Sequence, residues 1–488
     1  PSPDPDPDTP TTTGGDTDPP PDDDLAYEDP RGGLFADFQA GFDRSHPFQP
    51  IDAFCRPHDP AENREATDPG ITADSIEIVQ IRSQLEDFEG IGFGIPVGDP
   101  TAMWTAFADF VNEECGGVRG RMINMTHIDV AVLGAEVDAQ RRTACVEATE
   151  DRNAVIVTNS TGFQGTAVLC IVEGAETIFI TTQGVPREYY DRSGGRLITV
   201  SPTLEESLQY LGDELLATGE LEGKTIGVVA PDTPGQDEPV EAFAARLQSE
   251  GLSVPVVSII GCAGGTTCDI GVLDSVGDML DAGIDVMFNT LNVVSLPGYV
   301  NEMVTQGFEP GEVQFYQSDF NSHAGDLVES KVVQFGGEAA GELYNGSIII
   351  DDANTGFVND PTQSPYTFNE MCNDTYQAMG GEVHTAYDEG TSGYGMASGV
   401  CAQLRIGLRA IYDAGDNPTR ADIETALVNL GPVDLPDGLP ASIAPGKPSM
   451  PDATHRMVFN YPCPGIAFDE LNTCITNAEN DEYRLVNQ

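Results

Sequence analysis

Residues 205–230, EESLQYLGDELLATGELEGKTIGVVA, hold the pattern that decides the fold. Leu208, Leu211, Leu215 and Leu216 recur at helical spacing, so Glu205–Ala217 reads as an amphipathic helix. Gly219 and Gly223 interrupt it. Lys224–Ala230 (KTIGVVA) is then a short apolar run, the sign of a strand buried on both faces. A helix that feeds such a strand is half of a right-handed βαβ crossover, the unit of parallel sheets.

The unit recurs in both directions. Upstream, Ser75–Ile81 alternates as a first strand, and Thr101–Glu113 carries Trp104, Phe107, Phe110 and Val111 on a helix. Arg121–Ile128, Ala154–Val157 (AVIV) and Glu176–Ile180 (ETIFI) read as strands, separated by helices at Val137–Thr149 and Gly162–Val172. Downstream, helices at Val240–Ser249, Val272–Ala282 and Gly298–Gln306 precede strands at Val254–Ile260, Asp285–Phe288 and Val313–Gln317. Units recurring every ~25–30 residues are too many for one flavodoxin-like sheet. The expected class is α/β, with two doubly wound parallel-sheet lobes joined by a hinge. Lobe 1 is assigned residues 70–199 and 355–440, with Ser392–Asp413 as one long helix. Lobe 2 is assigned 200–354 and 441–488, with Met457–Asn460 in or beside it.

The chain has 488 residues, 22 basic and 80 acidic, a net charge of −58. Phosphate binding needs clustered Lys and Arg, so nucleic acid is excluded as a partner, and an anionic membrane surface is disfavoured by the same sign. Residues 1–24 (PSPDPDPDTPTTTGGDTDPPPDDD) hold eight Asp and no base, so they contribute −8 and leave −50 to the rest. Almost without apolar side chains, they are expected to be a disordered spacer, suited to tether a folded head to a membrane anchor. A calcium loop there would lack its sixth-position Gly and closing Glu. Residues 25–69 read as an irregular arm pinned by Phe35, Phe38, Phe42, Phe48 and Phe54. The acidic body suits a saline habitat, since salt screens its self-repulsion; a basic partner is the alternative.

Ten cysteines without a C-x-x-C pair point to disulfides in an oxidising compartment. Proximity pairs Cys262 with Cys268, Cys463 with Cys474, Cys115 with Cys145 and Cys372 with Cys401, leaving Cys55 with Cys170. No apolar run reaches 18 residues, and the chain opens on Pro1, as a mature exported chain with its signal removed would. Six scattered histidines form no H-x-x-x-H or H-E-x-x-H pair, and there is no G-x-S-x-G elbow, phosphate loop or dinucleotide fingerprint. No metal, cofactor or catalytic residue is implied.

Several phrases in order resemble the type I periplasmic-binding-protein family. Gly70-Ile-Thr-Ala-Asp-Ser-Ile-Glu-Ile is similar to its opening strand. Phe110-Val-Asn-Glu-Glu-Cys-Gly-Gly-Val-Arg-Gly-Arg121 resembles its helix end and glycine turn into the second strand, and Asp129 its acidic residue after that strand. Gly195-Arg-Leu-Ile-Thr-Val-Ser-Pro resembles the crossover into the second lobe, and Lys224-Thr-Ile-Gly-Val-Val-Ala-Pro-Asp that lobe's first strand. Within the family the pattern resembles solute-binding proteins of branched-chain amino acid, amide and urea ABC transporters. The resemblance implies capture of a small polar solute, amino acid or amide-like, by hinge closure without covalent chemistry. It also implies delivery to a membrane permease. A ligand-sensing or surface interaction protein on the same fold is the alternative.

In such lobes ligands lie beyond the carboxyl ends of the strands. The candidates in lobe 1 are Asn159, Ser160 and Thr161 after AVIV, and Thr181 and Thr182 after ETIFI. The resemblance makes them hydroxyl and helix-start contacts for a ligand carboxylate; for the first three the alternative is ordinary N-capping. Lobe 2 offers Asp232 and Thr233, Asn289 and Asn292, and Ser318 and Asp319. Asp319 fits the family's ammonium-holding acid, against the alternative of a solvated surface carboxylate. Pro234 and Asn289 stand where amino-acid binders carry aromatics, which admits a more polar ligand. Phe88 and Phe93, in the long loop Arg82–Pro100, would then supply the apolar wall. Because the two acidic lobes repel, closure and stability are expected to rise with ionic strength. Scanning calorimetry from dilute buffer to concentrated NaCl should show the melting temperature rising by on the order of several degrees; an unchanged melting temperature would contradict this.

Overall fold

The alternating pattern folds into two sheets of the same topology. The computed structural model describes residues 63–91, 94, 96–134, 136–263, 266–352, 367–385, 393–436, 439–463, 474–478 and 484–486. The stretch 1–24, the arm aromatics Phe35, Phe38, Phe42, Phe48 and Phe54, Cys55 and Phe93 lie outside the described residues. The first sheet holds β1 (Ser75–Gln84), β2 (Met122–Ala131), β3 (Ile156–Asn159), β4 (Ile178–Thr181) and β5 (Leu197–Thr199). They lie in the order β2-β1-β3-β4-β5, all parallel. The second holds β6 (Thr225–Pro231), β7 (Ser253–Ile260), β8 (Val286–Asn289), β9 (Gln314–Ser318) and β10 (Ile348–Asp351). Their parallel order, β7-β6-β8-β9-β10, repeats the first. In each sheet the second strand goes to one side of the first and the third to the other. That reversal opens a crevice at the carboxyl ends.

A small ribbon of β11 (Gly431–Val433) and β12 (Ala441–Ile443) follows. The chain then adds β13 (Ala453–Phe459) antiparallel to β10, with β14 (Ile475–Asn477) beyond it and β15 (Arg484–Leu485) paired to the start of β13. The core of the first sheet buries Trp104 and Phe107 from the helix Pro100–Glu114, and Ala397, Val400, Cys401 and Ala410 from the helix Gly393–Asp413. The first lobe is therefore completed by chain that comes after the second sheet. Three passages link the lobes: after Thr199, after Asp352, and between Ile443 and Ala453.

Buried polar groups tie the first and third passages together. Thr203 and Glu206 form a reciprocal capping box at the start of the helix Leu204–Thr218. The same Glu206 carboxylate accepts a hydrogen bond from Ser449 Oγ at 2.8 Å. Met450 N–H donates to Thr199 O at 3.0 Å. Lys447 and Asp452, both largely buried, pair at 2.9 Å beside them.

Two expectations are corrected. Cys145 is bonded to Cys170, not to Cys115, which overturns both the Cys115–Cys145 and the Cys55–Cys170 pairings. Cys145 lies in the last turn of one element and Cys170 begins another, and both pack in the same core against the first sheet. Nearness in space, not in sequence, chose the partner. Cys115 is itself disulfide-bonded. The pairs Cys262–Cys268, Cys372–Cys401 and Cys463–Cys474 are present. The helix expected at Gly162–Val172 starts only at Ala167, because Gly162 and Gly165 take φ of +82° and +76° and leave the first part a loop. Only Ala167–Leu169 is α-helical, running into a wider π turn at Cys170–Gly174.

The glycine turn is structural. Gly117 has φ +79°, and a Cβ there would lie 2.2 Å from Arg121 O. The turn delivers Arg121, 1% exposed, to a cage of carbonyls. Its guanidinium donates to Thr72 O, Asp416 O, Glu65 O and Asn417 Oδ1 at 2.9, 2.6, 3.2 and 3.0 Å. These bonds bind the chain before β1 to the chain after the long helix. Arg121→Ala should therefore cost about 3 kcal/mol or more, since it strands buried acceptors; urea unfolding measures it, and a loss below ~1 kcal/mol would contradict the role.

Candidate functional site

The carboxyl ends of both sheets face a shared cavity of about 600 Å³. Lobe 1 supplies Leu85 and Phe88 after β1, Val132 after β2, Ser160, Thr161 and Gly162 after β3, and Thr182 and Gln183 after β4. Lobe 2 supplies Asp232, Thr233 and Pro234 after β6, Asn292 and Val293 after β8, and Asn321 and Ser322 after β9. Met396, near the start of the long helix, completes the wall. The lobes meet beside the cavity, where Phe88 and Val132 pack with Val293 and Val294. Thr266, within the loop closed by Cys262–Cys268, donates its hydroxyl to Val132 O at 2.8 Å across the same junction.

The sequence candidates divide into wall and support. Ser160, Thr161, Thr182, Asp232, Thr233, Asn292 and Phe88 line the cavity, whereas Asn159, Thr181, Asn289, Ser318 and Asp319 do not. Asn159 is buried; its amide donates to Ile81 O at 2.7 Å and its carbonyl accepts from Phe163 N–H at 3.3 Å, which shapes the loop after β3. Thr181 Oγ1 accepts from Gln183 N–H, and Asn289 donates to Gln317 Oε1 at 2.7 Å inside the second core. Ser318 Oγ accepts from Phe320 N–H. Within the wall, Thr182 donates its hydroxyl to Ser160 O. Asn292 Oδ1 accepts from Val294 and Ser295 N–H at 3.1 Å each, which shapes the turn leading into the helix Leu296–Gln306. Asp232 Oδ1 accepts from Cys262 N–H at 2.7 Å.

Among the wall residues that sequence reading missed are Arg141 and Asp138, one turn apart on the helix Val137–Val146, and Gln183. Arg141 is the one Lys or Arg among the described residues of the wall. Burial pulls its pKa below the ordinary value, with Asp138 opposing. The helical spacing of Asp138 and Arg141 was visible, but which helix face meets the cavity was not.

A family model described as periplasmic binding protein matches residues 99–461. The chain belongs to the type I periplasmic binding proteins. A solute-binding protein of an R. palustris ABC transporter, solved with 4-hydroxybenzoate, is similar with a TM-score of 0.59 at 13% identity, covering 84% of this chain and 97% of that one. A leucine-binding protein from Thermotoga maritima is similar at a TM-score of 0.55 and 12% identity, covering 83% and 99%. A possible leucine/isoleucine/valine-binding protein from Rhodopirellula baltica gives 0.55 at 14% identity, covering 81% and 96%. No curated protein matches the sequence. No helix among the described residues is long and apolar enough to cross a membrane.

In this periplasmic binding protein Asp319 organises a loop. It keeps some exposed surface, but its carboxyl accepts from Ala324 N–H at 2.7 Å and so closes the turn that carries Asn321 and Ser322, with φ of +68° and +61°, to the wall. It also lies with Asp351 and Asp352 in the one group among the described residues with three side chains close enough to hold a metal, their oxygens within 4.8 Å. Asp351 faces His455 Nε2 at 2.8 Å. Burial first, and the neighbouring carboxylates second, push Asp319 and Asp352 well above the usual carboxylate range. The folded state thus takes up protons here more readily than the unfolded chain. The group favours folding at low pH and opposes it as pH rises through the raised folded values. Asp352→Asn should then raise stability at pH 7 by about 1 kcal/mol, a gain that shrinks on acidification. Thermal melts across pH test this; a loss of stability at pH 7 would contradict it.

Proposed function

We propose that this chain is the extracytoplasmic solute receptor of an ABC importer, and that it captures a small solute with an apolar body and one polar end. The observation that supports this most is the cavity at the carboxyl ends of both sheets. At about 600 Å³, it falls in the size range of small-molecule sites. More of its wall area is apolar than polar, through residues such as Leu85, Phe88, Val97, Val132, Val293 and Met396. Such walls suit an amphipathic solute better than the small polar one, amino acid or amide-like, expected from the sequence, because Asp319 is spent on its own loop. That relatives were solved with 4-hydroxybenzoate and 3,4-dihydroxybenzoic acid fits a cavity of this character.

The work is binding, carried out by closure about the three passages. Residues 70–199 with 355–440 would form one rigid lobe and 200–354 with 441–488 the other. A membrane permease is the partner this role requires, and residues 1–24 would act as the tether. Trp104, the chain's single tryptophan, provides the test: it is buried, and its indole N–H donates to Ser160 Oγ, at the cavity wall, at 3.2 Å. Titrating small aromatic and aliphatic acids, amides and amino acids in high salt should shift Trp104 emission and raise the melting temperature for at least one solute. If none does either, the receptor reading gives way to an interaction protein on this fold.

A further inference from the structure

We propose that Thr266 clasps the two lobes together across the mouth of the cavity, and that the Cys262–Cys268 disulfide holds it in place to do so. The inference rests on the receptor reading above and concerns how long such a receptor keeps its solute. The strand orders show where the mouth lies. The passages leave β5, follow β10 and lead into β13. In the first sheet β2 is the edge opposite β5, and in the second β7 is the edge opposite β10 and β13. The loops after β2 and β7 are therefore the ones farthest from the passages, and they part most when the lobes swing open. Here they meet. Thr266, between β7 and the helix Val272–Ala282, gives its hydroxyl proton to the carbonyl of Val132, the residue just after β2, at 2.8 Å.

The rest of lobe 2 aims this hydroxyl. Asn292 Nδ2 donates to Thr266 O at 2.8 Å, and Cys268 N–H donates to Ser295 Oγ at 2.9 Å. Cys262 N–H donates to Asp232 Oδ1 at 2.7 Å, and the disulfide joins Cys262 to Cys268. Gly261 and Ile270 exchange backbone hydrogen bonds of 2.9 and 3.1 Å at the foot of the turn. A hydroxyl fastened this way has little conformational entropy left to lose when the lobes meet. The seam beside it is uncharged: Leu85, Phe88, Val132 and Leu133 of lobe 1 pack with Val293 and Val294 of lobe 2. In a chain of net charge −58, lobes of like sign touch most cheaply through neutral groups, and a hydroxyl-to-carbonyl bond is one. Thr266 borders the cavity, but its proton is spent on the other lobe, which makes it a positioning residue for closure.

The test removes the hydroxyl and reads release. Stopped-flow Trp104 fluorescence follows 4-hydroxybenzoate, 4-hydroxybenzamide and leucine at constant high salt. Thr266→Val keeps the side chain's shape without its donor. It should speed release about three- to tenfold, the worth of one neutral hydrogen bond, and leave the association rate nearly unchanged. The factor should be the same for every probe that binds, because the bond runs between the lobes and not to the solute. Thr266→Ser, which keeps the hydroxyl, should release as slowly as the parent, and a Cys262→Ser, Cys268→Ser double variant should release as fast as Thr266→Val. If Thr266→Val or the double variant releases as slowly as the parent, or if the factor changes from probe to probe, the clasp is overturned and the receptor reading stands. Where none of the three probes binds, small-angle X-ray scattering of the solute-free proteins decides. Thr266→Val should then have a larger radius of gyration than the parent, and Thr266→Ser should match it; equal radii for all three would overturn the clasp. That comparison stays readable even if no solute at all binds and the receptor reading falls.

Discussion

Parallel strands all end on the same edge of their sheet, and that constraint places everything functional in this molecule. Each lobe turns that edge toward the other, and the strand order reverses at β1/β3 and again at β6/β8, so two crevices combine into one cavity. The facing arrangement is held by the passages. Glu206 serves its own helix start through Thr203 and the returning strand through Ser449, so one buried carboxylate joins the first and third passages. Hydrogen-bonded backbone and a few buried side chains thus join the first and third passages, while each lobe keeps its own packed core.

The buried charges divide by what neutralises them. Lys447 and Asp452 are drawn toward their neutral forms by burial yet held by each other. Asp319 and Asp352 are hydrogen-bonded to each other, and their raised affinity for protons lowers the charge of the carboxylate cluster. Arg456 is paired with Glu214 and Glu220. Arg141 is the wall cation whose neighbours leave it short of partners, which sets it apart from these structural pairs. On a chain of net charge −58, the one Lys or Arg among the described wall residues matters more than it would on a neutral protein.

Much of the fold was legible. Buried β strands such as Ile156–Asn159 and Val286–Asn289 are apolar on both faces because helices cover both sides of a parallel sheet, and that composition appears directly in the sequence. Helices such as Leu204–Thr218 showed their leucine stripe and their Thr–Glu capping signal. The helix after β3 reads as starting too early, because Phe163 and Val168 occur at helical spacing, while the positive φ of Gly162 and Gly165, which keeps 162–166 a loop, leaves no mark in that pattern. The site was half legible. Positions just after strands are findable by rule, so Ser160, Thr161, Thr182, Asp232, Thr233 and Asn292 were found. Whether a side chain there faces ligand or supports the loop depends on rotations of one residue, as the neighbours Asn159 and Ser160 show.

Sequence alone therefore determined the class of the fold, the doubly wound lobes and the edges on which a ligand would sit, because periodicity and strand composition are local properties of the chain. The tertiary structure alone decided which cysteine Cys145 meets, that Asp319 braces a loop, and that Arg141 faces the cavity. Each of these is a matter of which surfaces come together in space, and residues 25 positions apart, as Cys145 and Cys170 are, carry no local signal of their meeting.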